Sequence, residues 1–96
     1  MRFRVALTDE ALSQRAVLPP RPKRRVNQLL LELETDPYGA HSLQLELQSD
    51  EIVFRVREDG YRILYSPVPG KREVSVFRIA LRAVAYEGYE RPSRNQ

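Results

Sequence analysis

The chain has 96 residues, no cysteine, and 16 basic against 13 acidic side chains, for a formal net charge of +3. The lack of cysteine excludes disulfides, thiolate metal sites and a cysteine nucleophile, and fits a reducing, cytoplasmic setting. A chain of this size buries only ~60–65% of its unfolded surface, so one modest core is expected, with any site on an open face or shallow groove.

Phe3, Val5 and Leu7 alternate with Arg2, Arg4 and Ala6, the period of a half-buried strand. The opening MRFRVALTDEAL lacks the apolar stretch of a signal peptide, and no segment approaches the ~20 apolar residues of a membrane span. Thr8 or Asp9 can cap a helix running to about Val17, which Pro19-Pro20 stops. A second helix is predicted from about Arg21-Pro22, with Val26, Leu29, Leu30 and Leu33 forming one apolar stripe. It ends by Asp36-Pro37, because the residue before a proline avoids the helical region. The two helices read as an αα-hairpin lying on a sheet.

From Leu43 the period becomes two. Leu43, Leu45 and Leu47 alternate with Gln44, Glu46 and Gln48, and Ile52, Phe54 and Val56 alternate with Val53, Arg55 and Arg57. Asp59-Gly60 is a two-residue hairpin signal leading into Tyr61, Ile63 and Tyr65. After a loop at Pro67–Gly70 the last strand runs from about Glu73 to Leu81. Residues 83–89 suit one short helical turn, and 90–96 a disordered tail beyond a single domain of residues 1–89. The order is that of an α+β fold: an N-terminal strand, an αα-hairpin, then antiparallel strands in a curved sheet with the helices on one face.

Charge is unevenly spread. Residues 1–25 carry seven basic and two acidic side chains, residues 26–54 six acidic and no basic, and residues 55–96 nine basic and five acidic. Pairing the strands outward from Asp59-Gly60 sets Arg57 opposite Arg62, Arg55 opposite Leu64, Val56 opposite Ile63 and Phe54 opposite Tyr65. Phe54, Val56, Ile63 and Tyr65 then share the buried face, and Arg55, Arg57, Arg62 and Leu64 the other. Directly opposed arginines repel, and a polyanion is the ligand that relieves them. Arg78 and Arg82 flank Ala80, so five guanidinium groups are expected on one open face, a phosphate-binding surface. Neutralising Arg57 or Arg62 is then expected to leave stability unchanged or slightly improved. His41 stands alone in its loop, and no metal-ligand spacing, serine triad or phosphate-cradling glycine loop is present. No metal or cofactor is expected.

The segments "ETDPYGAHSLQLEL", "VFRVREDGYRILYSPV" and "VSVFRIALRAVAY" resemble the RelE/ParE toxin superfamily, over roughly Phe3 to Tyr89. Arg57, Gly60-Tyr61-Arg62 and Tyr65, followed by an arginine-bearing last strand, are the most characteristic part. RelE-type members cleave messenger RNA in the ribosomal A site, ParE-type members inhibit DNA gyrase, and both are held inactive by an antitoxin. The resemblance therefore implies a toxin that is a ribosome-dependent mRNA endoribonuclease, with a ParE-like gyrase inhibitor or a degenerate nucleic-acid-binding module as alternatives. It implies an antitoxin partner and no membrane. Within the RelE branch, Arg62 matches the arginine on the scissile phosphate and Arg82 a second phosphate contact. Arg55 falls where a proton-transferring lysine can occur, and Tyr86 or Tyr89 matches the C-terminal tyrosine. Val53 and Leu81 depart from the pattern, standing where other members place a lysine and a histidine.

Overall fold

A computed structural model describes residues 2–39, 42–45 and 52–88. Strand β1 is Arg4–Leu7, helix α1 Asp9–Ala16, helix α2 Pro20–Leu33, β2 Ser42–Leu45, β3 Val53–Glu58, β4 Tyr61–Pro67 and β5 Glu73–Leu81. Thr8 is the N-cap of α1, its hydroxyl accepting from the Ala11 N–H at 3.2 Å. Asp9 and Glu10 in the first turn and Arg15 in the last match the helix dipole. Helix α2 has proline in its first turn, where the missing N–H has no intrahelical partner to lose. It starts a residue before Arg21-Pro22 and stops at Leu33, short of Asp36-Pro37.

The five strands form one mixed sheet in the order β1-β5-β4-β3-β2. The β2–β5 strands pair antiparallel, while β1 lies parallel to β5, with Arg4 opposite Glu73 and Leu7 opposite Val76. The parallel β1 and β5, which a tight turn cannot join, are connected through the αα-hairpin and the β2–β4 strands. The main core lies between the helices and one sheet face. Ala11, Leu18, Val26, Leu30 and Leu33 meet Val56, Ile63, Tyr65, Val74, Val76 and Ile79 there, with Leu29 and Phe54 packed against them. The β3–β4 register is the one set by a two-residue turn: Arg57 pairs with Arg62, Val56 with Ile63 and Phe54 with Tyr65. Asp59 takes the left-handed region at φ 54°, a conformation that aspartate tolerates better than most residues.

Two expectations need correction, and others fall outside the described residues. The alternation that put Ile52 inward fails, because β3 begins only at Val53. Ile52 is 50% exposed and Val53 1% exposed. The second sheet face is not open throughout, since Val53, Leu64 and Ala85 are buried outside the main core. The segment 82–88 lies over part of that face, as Arg78 shows below. Finally, β2 is described only over Ser42–Leu45; Leu47, the His41 loop, Tyr89 and the tail from 90 lie outside the described residues. Among the described residues no helix is long and apolar enough to cross a membrane, which says nothing of a β-barrel.

Tyr65 ties the link between helices and sheet to the core. Its hydroxyl donates to the Pro37 carbonyl at 2.5 Å and lies 2.5 Å from the Ser42 hydroxyl. A carbonyl can only accept, so the single phenolic proton goes to Pro37 and Ser42 is the donor in the second bond. Burial raises the Tyr65 pKa, and the Ser42 hydrogen bond opposes that rise. The ring stacks on Phe54 at 5.7 Å, Phe54 meets Tyr38 edge-on, and Tyr38 meets Phe3. Tyr65→Phe leaves a buried carbonyl without its donor, so it should destabilise by ~1–3 kcal/mol, read as a lower urea midpoint with an unchanged m-value. Because the folded pKa is raised, the contribution of Tyr65 is fully present below the ordinary tyrosine value of ~10 and lost as pH rises through the folded pKa. The variant should lose this alkaline component.

Candidate nucleic-acid interface

The face of the sheet turned away from the main core carries Leu43 and Leu45 on β2, Val53, Arg55 and Arg57 on β3, Arg62 and Leu64 on β4, and Arg78 and Ala80 on β5. Its arginines are not equivalent. Arg57 is exposed, whereas the facing Arg62 is only 6% exposed. The Arg62 guanidinium folds back on its own hairpin, donating to the Asp59 carbonyl at 3.1 Å and the Tyr61 carbonyl at 2.8 Å. The turn that sequence alone marks as Asp59-Gly60 is thus held by a buried cation two residues past it.

Arg55 is half-buried between these two and the C-terminal segment. Burial lowers its pKa; Tyr86 opposes this through charge and a hydrogen bond, while Arg57 and Arg62 lower it further. The guanidinium stays protonated at any physiological pH. Arg82 follows β5 directly and is exposed, and its backbone N–H donates to the Gly60 carbonyl at 2.8 Å, which sets it beside the hairpin tip. Among the described residues no carboxylate forms an ion pair with Arg55, Arg57, Arg62 or Arg82; the ion pairs are Arg2–Glu34, Arg25–Glu58 and Arg78–Glu10. Several cations held together without a neutralising acid make a surface that an anion stabilises.

Arg78 differs from the rest. It pairs opposite Leu64, but its guanidinium donates to the carbonyls of Ala85 at 3.2 Å and Glu87 at 2.5 Å, and it meets Glu10 at 3.4 Å. The segment it binds turns on itself through Val84 N–H to Leu81 O at 3.0 Å and Glu87 N–H to Val84 O at 3.2 Å. These are the short turns expected near 83–89. With Ala85 buried and Tyr86 beside Arg55, the segment covers part of this face. The structure therefore brings Arg55, Arg57, Arg62 and Tyr86 together, sets Arg82 at the hairpin tip, and engages Arg78 elsewhere. Among the described residues no three metal-ligating side chains converge.

Glu10 and Gln14 were not expected at this site. They share one face of α1, with Gln14 Nε2 donating to Glu10 at 3.1 Å, and Gln14 Oε1 accepts the Ile79 N–H at 2.7 Å. Strand β1 pairs with β5 only as far as Val76, so α1 meets the edge left open beyond it. The helical spacing of these residues was visible in the sequence, but not which edge they would meet.

By sequence the chain matches no protein-family model and no curated protein. By structure it is similar to a chain of the archaeal RelE–RelB complex from Pyrococcus horikoshii OT3, with a TM-score of 0.74 and 24% identity over 88% of this chain and all of that one. A chain of the toxin–antitoxin complex RelBE2 from Mycobacterium tuberculosis gives 0.74 and 24% over 85% of this chain and all of that one. The isolated E. coli RelE toxin gives 0.68 and 17%, over 82% of this chain and 83% of that one. Helices and an open mixed sheet in this order define the RelE-like α+β class. The chain has the RelE toxin fold.

The two facing arginines should respond oppositely to truncation. Arg57→Ala removes an exposed charge from a like-charged pair and should leave stability unchanged or raise it by roughly 0.2–1 kcal/mol. Arg62→Ala strips a buried donor from two carbonyls of the turn and should cost about 1–3 kcal/mol. This replaces the expectation that either change is harmless. Equilibrium urea unfolding of both variants checks it.

Proposed function

We propose that the chain is the toxin of a toxin–antitoxin pair and cleaves messenger RNA in the ribosomal A site. The observation that carries this reading is the group of Arg55, Arg57 and Arg62, which has no carboxylate partner among the described residues and stands beside the phenol of Tyr86. The fold supports it, since the similar chains come from RelE toxins and their complexes with RelB.

In the reaction a ribose 2′-oxygen attacks the adjacent phosphorus and the 5′-oxygen of the next nucleotide leaves. The products are a 2′,3′-cyclic phosphate and a 5′-hydroxyl. Arg57 and Arg82, exposed, contact the phosphate backbone; Arg55 and Arg62 add positive charge beneath the pentacoordinate phosphorus as its negative charge grows. The 2′-hydroxyl must lose a proton and the leaving oxygen must gain one. Guanidinium groups do neither readily, and Tyr86 is the side chain at the cluster that can. Tyr89 remains the second candidate for that role. Arg78, also expected at the RNA, is assigned a different part below. The ribosome supplies the rest by holding the 2′-hydroxyl in line with the leaving group, so naked RNA should be cut weakly or not at all.

An antitoxin partner fits the free surfaces. The sheet is edged by β1 and β2, and Val5, Leu7, Leu30 and Leu31 line a groove next to β1. A strand or amphipathic helix is the element that would occupy such a groove. In co-expression, the product of an adjacent gene should co-purify at a fixed ratio, and a lone monomer from the native host would contradict this.

The catalytic reading is tested by primer extension on a translated message with naked RNA as control. Wild type should cut only the translated message. Arg57→Ala should weaken binding and reduce the slope of log affinity against log salt by about one, and Tyr86→Phe should remove most cleavage while leaving affinity unchanged. Val53 on this face and Leu81 at the end of β5 stand where a lysine and a histidine are found in the RelE branch, which favours a ParE-like inhibitor as the second reading. Blocked gyrase supercoiling with both messages intact would establish that reading instead.

A further inference from the structure

Arg78 has the geometry of a brace. Its guanidinium lies between two elements far apart in sequence, pairing with Glu10 of α1 at 3.4 Å and donating to the carbonyls of Ala85 at 3.2 Å and Glu87 at 2.5 Å. The two carbonyls stand one residue before and one residue after Tyr86. The planar fork meets Glu10 through Nε and both carbonyls through Nη1, a spread of two nitrogens that a single ammonium nitrogen does not offer. Glu10 is itself held by Gln14, and Gln14 by the Ile79 N–H, so the far end of the brace rests on the body of the fold.

The segment is also tied to the sheet at the Arg82 N–H, bonded to the Gly60 carbonyl at 2.8 Å, and by the hydrogen bond of Tyr86 with Arg55. Its own backbone contributes two short turn bonds, at Val84 and Glu87, and its one wholly buried side chain is Ala85. An alanine buries too little apolar surface to anchor seven residues against the entropy of ordering them. We propose that Arg78 is a positioning residue, which does not contact RNA but clamps the 82–88 segment across the sheet so that Tyr86 stands at the arginine cluster.

This rests on the proposed function only for its catalytic consequence; the clamp itself is a property of the free protein. The test uses the full chain with Arg78→Met, which keeps most of the aliphatic stem, and Arg78→Lys, which keeps the charge without the fork. In amide hydrogen exchange of the free protein, the Val84 and Glu87 amides should exchange about tenfold faster or more in Arg78→Met. Amides of β4 should be unchanged, and Arg78→Lys should fall between. In the translated-message assay, Arg78→Met should lower kcat at least about tenfold with little change in KM. Its salt slope should stay at the wild-type value, in contrast to Arg57→Ala. In a Tyr86→Phe background the Arg78 substitution should have no further effect, because the two act as one unit.

Unchanged exchange at Val84 and Glu87 overturns the clamp whatever happens to RNA. A salt slope reduced by about one, with KM raised and kcat intact, overturns it in favour of a direct phosphate contact. If wild type cuts no message while the exchange result holds, the clamp stands and the nuclease reading is the part that fails.

Discussion

The turn between β3 and β4 contains two residues, and that length governs the molecule. With Asp59 and Gly60 alone outside the pairing, Arg57 must face Arg62 and each side chain of the hairpin has its face decided. Val56, Ile63 and Tyr65 go to the main core, and Arg55, Arg57 and Arg62 to the other side. A turn longer by one residue would move one strand's whole set across the sheet, placing leucine-like positions in water and guanidinium groups against α2. The Arg62 bonds to Asp59 and Tyr61 reinforce this turn from within. The like-charged pair that makes the surface attractive to an anion thus also contains the residue that secures its geometry.

A buried guanidinium requires compensation, because moving a charge out of water is costly unless its donors are met. Arg62 meets this need with backbone carbonyls in place of an acid. Carbonyl dipoles take up two of its N–H donors without cancelling the charge, and the positive potential persists at the surface. A carboxylate there would stabilise the free protein and quench the site. The opposite choice is made at Arg25, which lies against Glu58 on the helical side of the hairpin with its two bonds at 3.0 and 3.4 Å.

Local pattern made the hairpin, the helix stripe and most of the core readable in advance. Alternation at Phe54, Val56, Ile63 and Tyr65 assigns an inner face, and Thr8 and the prolines mark helix ends, because these signals act within a few residues. Three features lay beyond such signals. The parallel pairing of β1 with β5 joins residues some seventy positions apart, and nothing local specifies it. Alternation separates two faces without saying whether anything covers the second, so Leu64 and Val53 were assigned to an open surface that 82–88 occupies in part. The register shift between Leu64 and Tyr65 against β5, where Phe77 is the extra residue, is likewise invisible to period counting. At the site, arginine spacing marked the cluster, but burial and hydrogen bonding divided its members into exposed, buried and bracing roles.

The pairing of the first strand with the last has a consequence for synthesis. As the chain leaves the ribosome, β1 and both helices emerge with no sheet to receive them. The β3–β4 hairpin can form by itself, but β1 finds its neighbour only after Glu73–Val76 has been made. Contacts of such separation are slow to close, since loop entropy must be overcome before they contribute. Arg82 and Tyr86 are translated later still. A nascent chain thus carries no assembled site while most of its length is still being translated, and its apolar helical faces stay exposed to any partner present during that interval. In this topology the arginine face and the segment that carries Tyr86 are completed only after both helices and the β3–β4 hairpin.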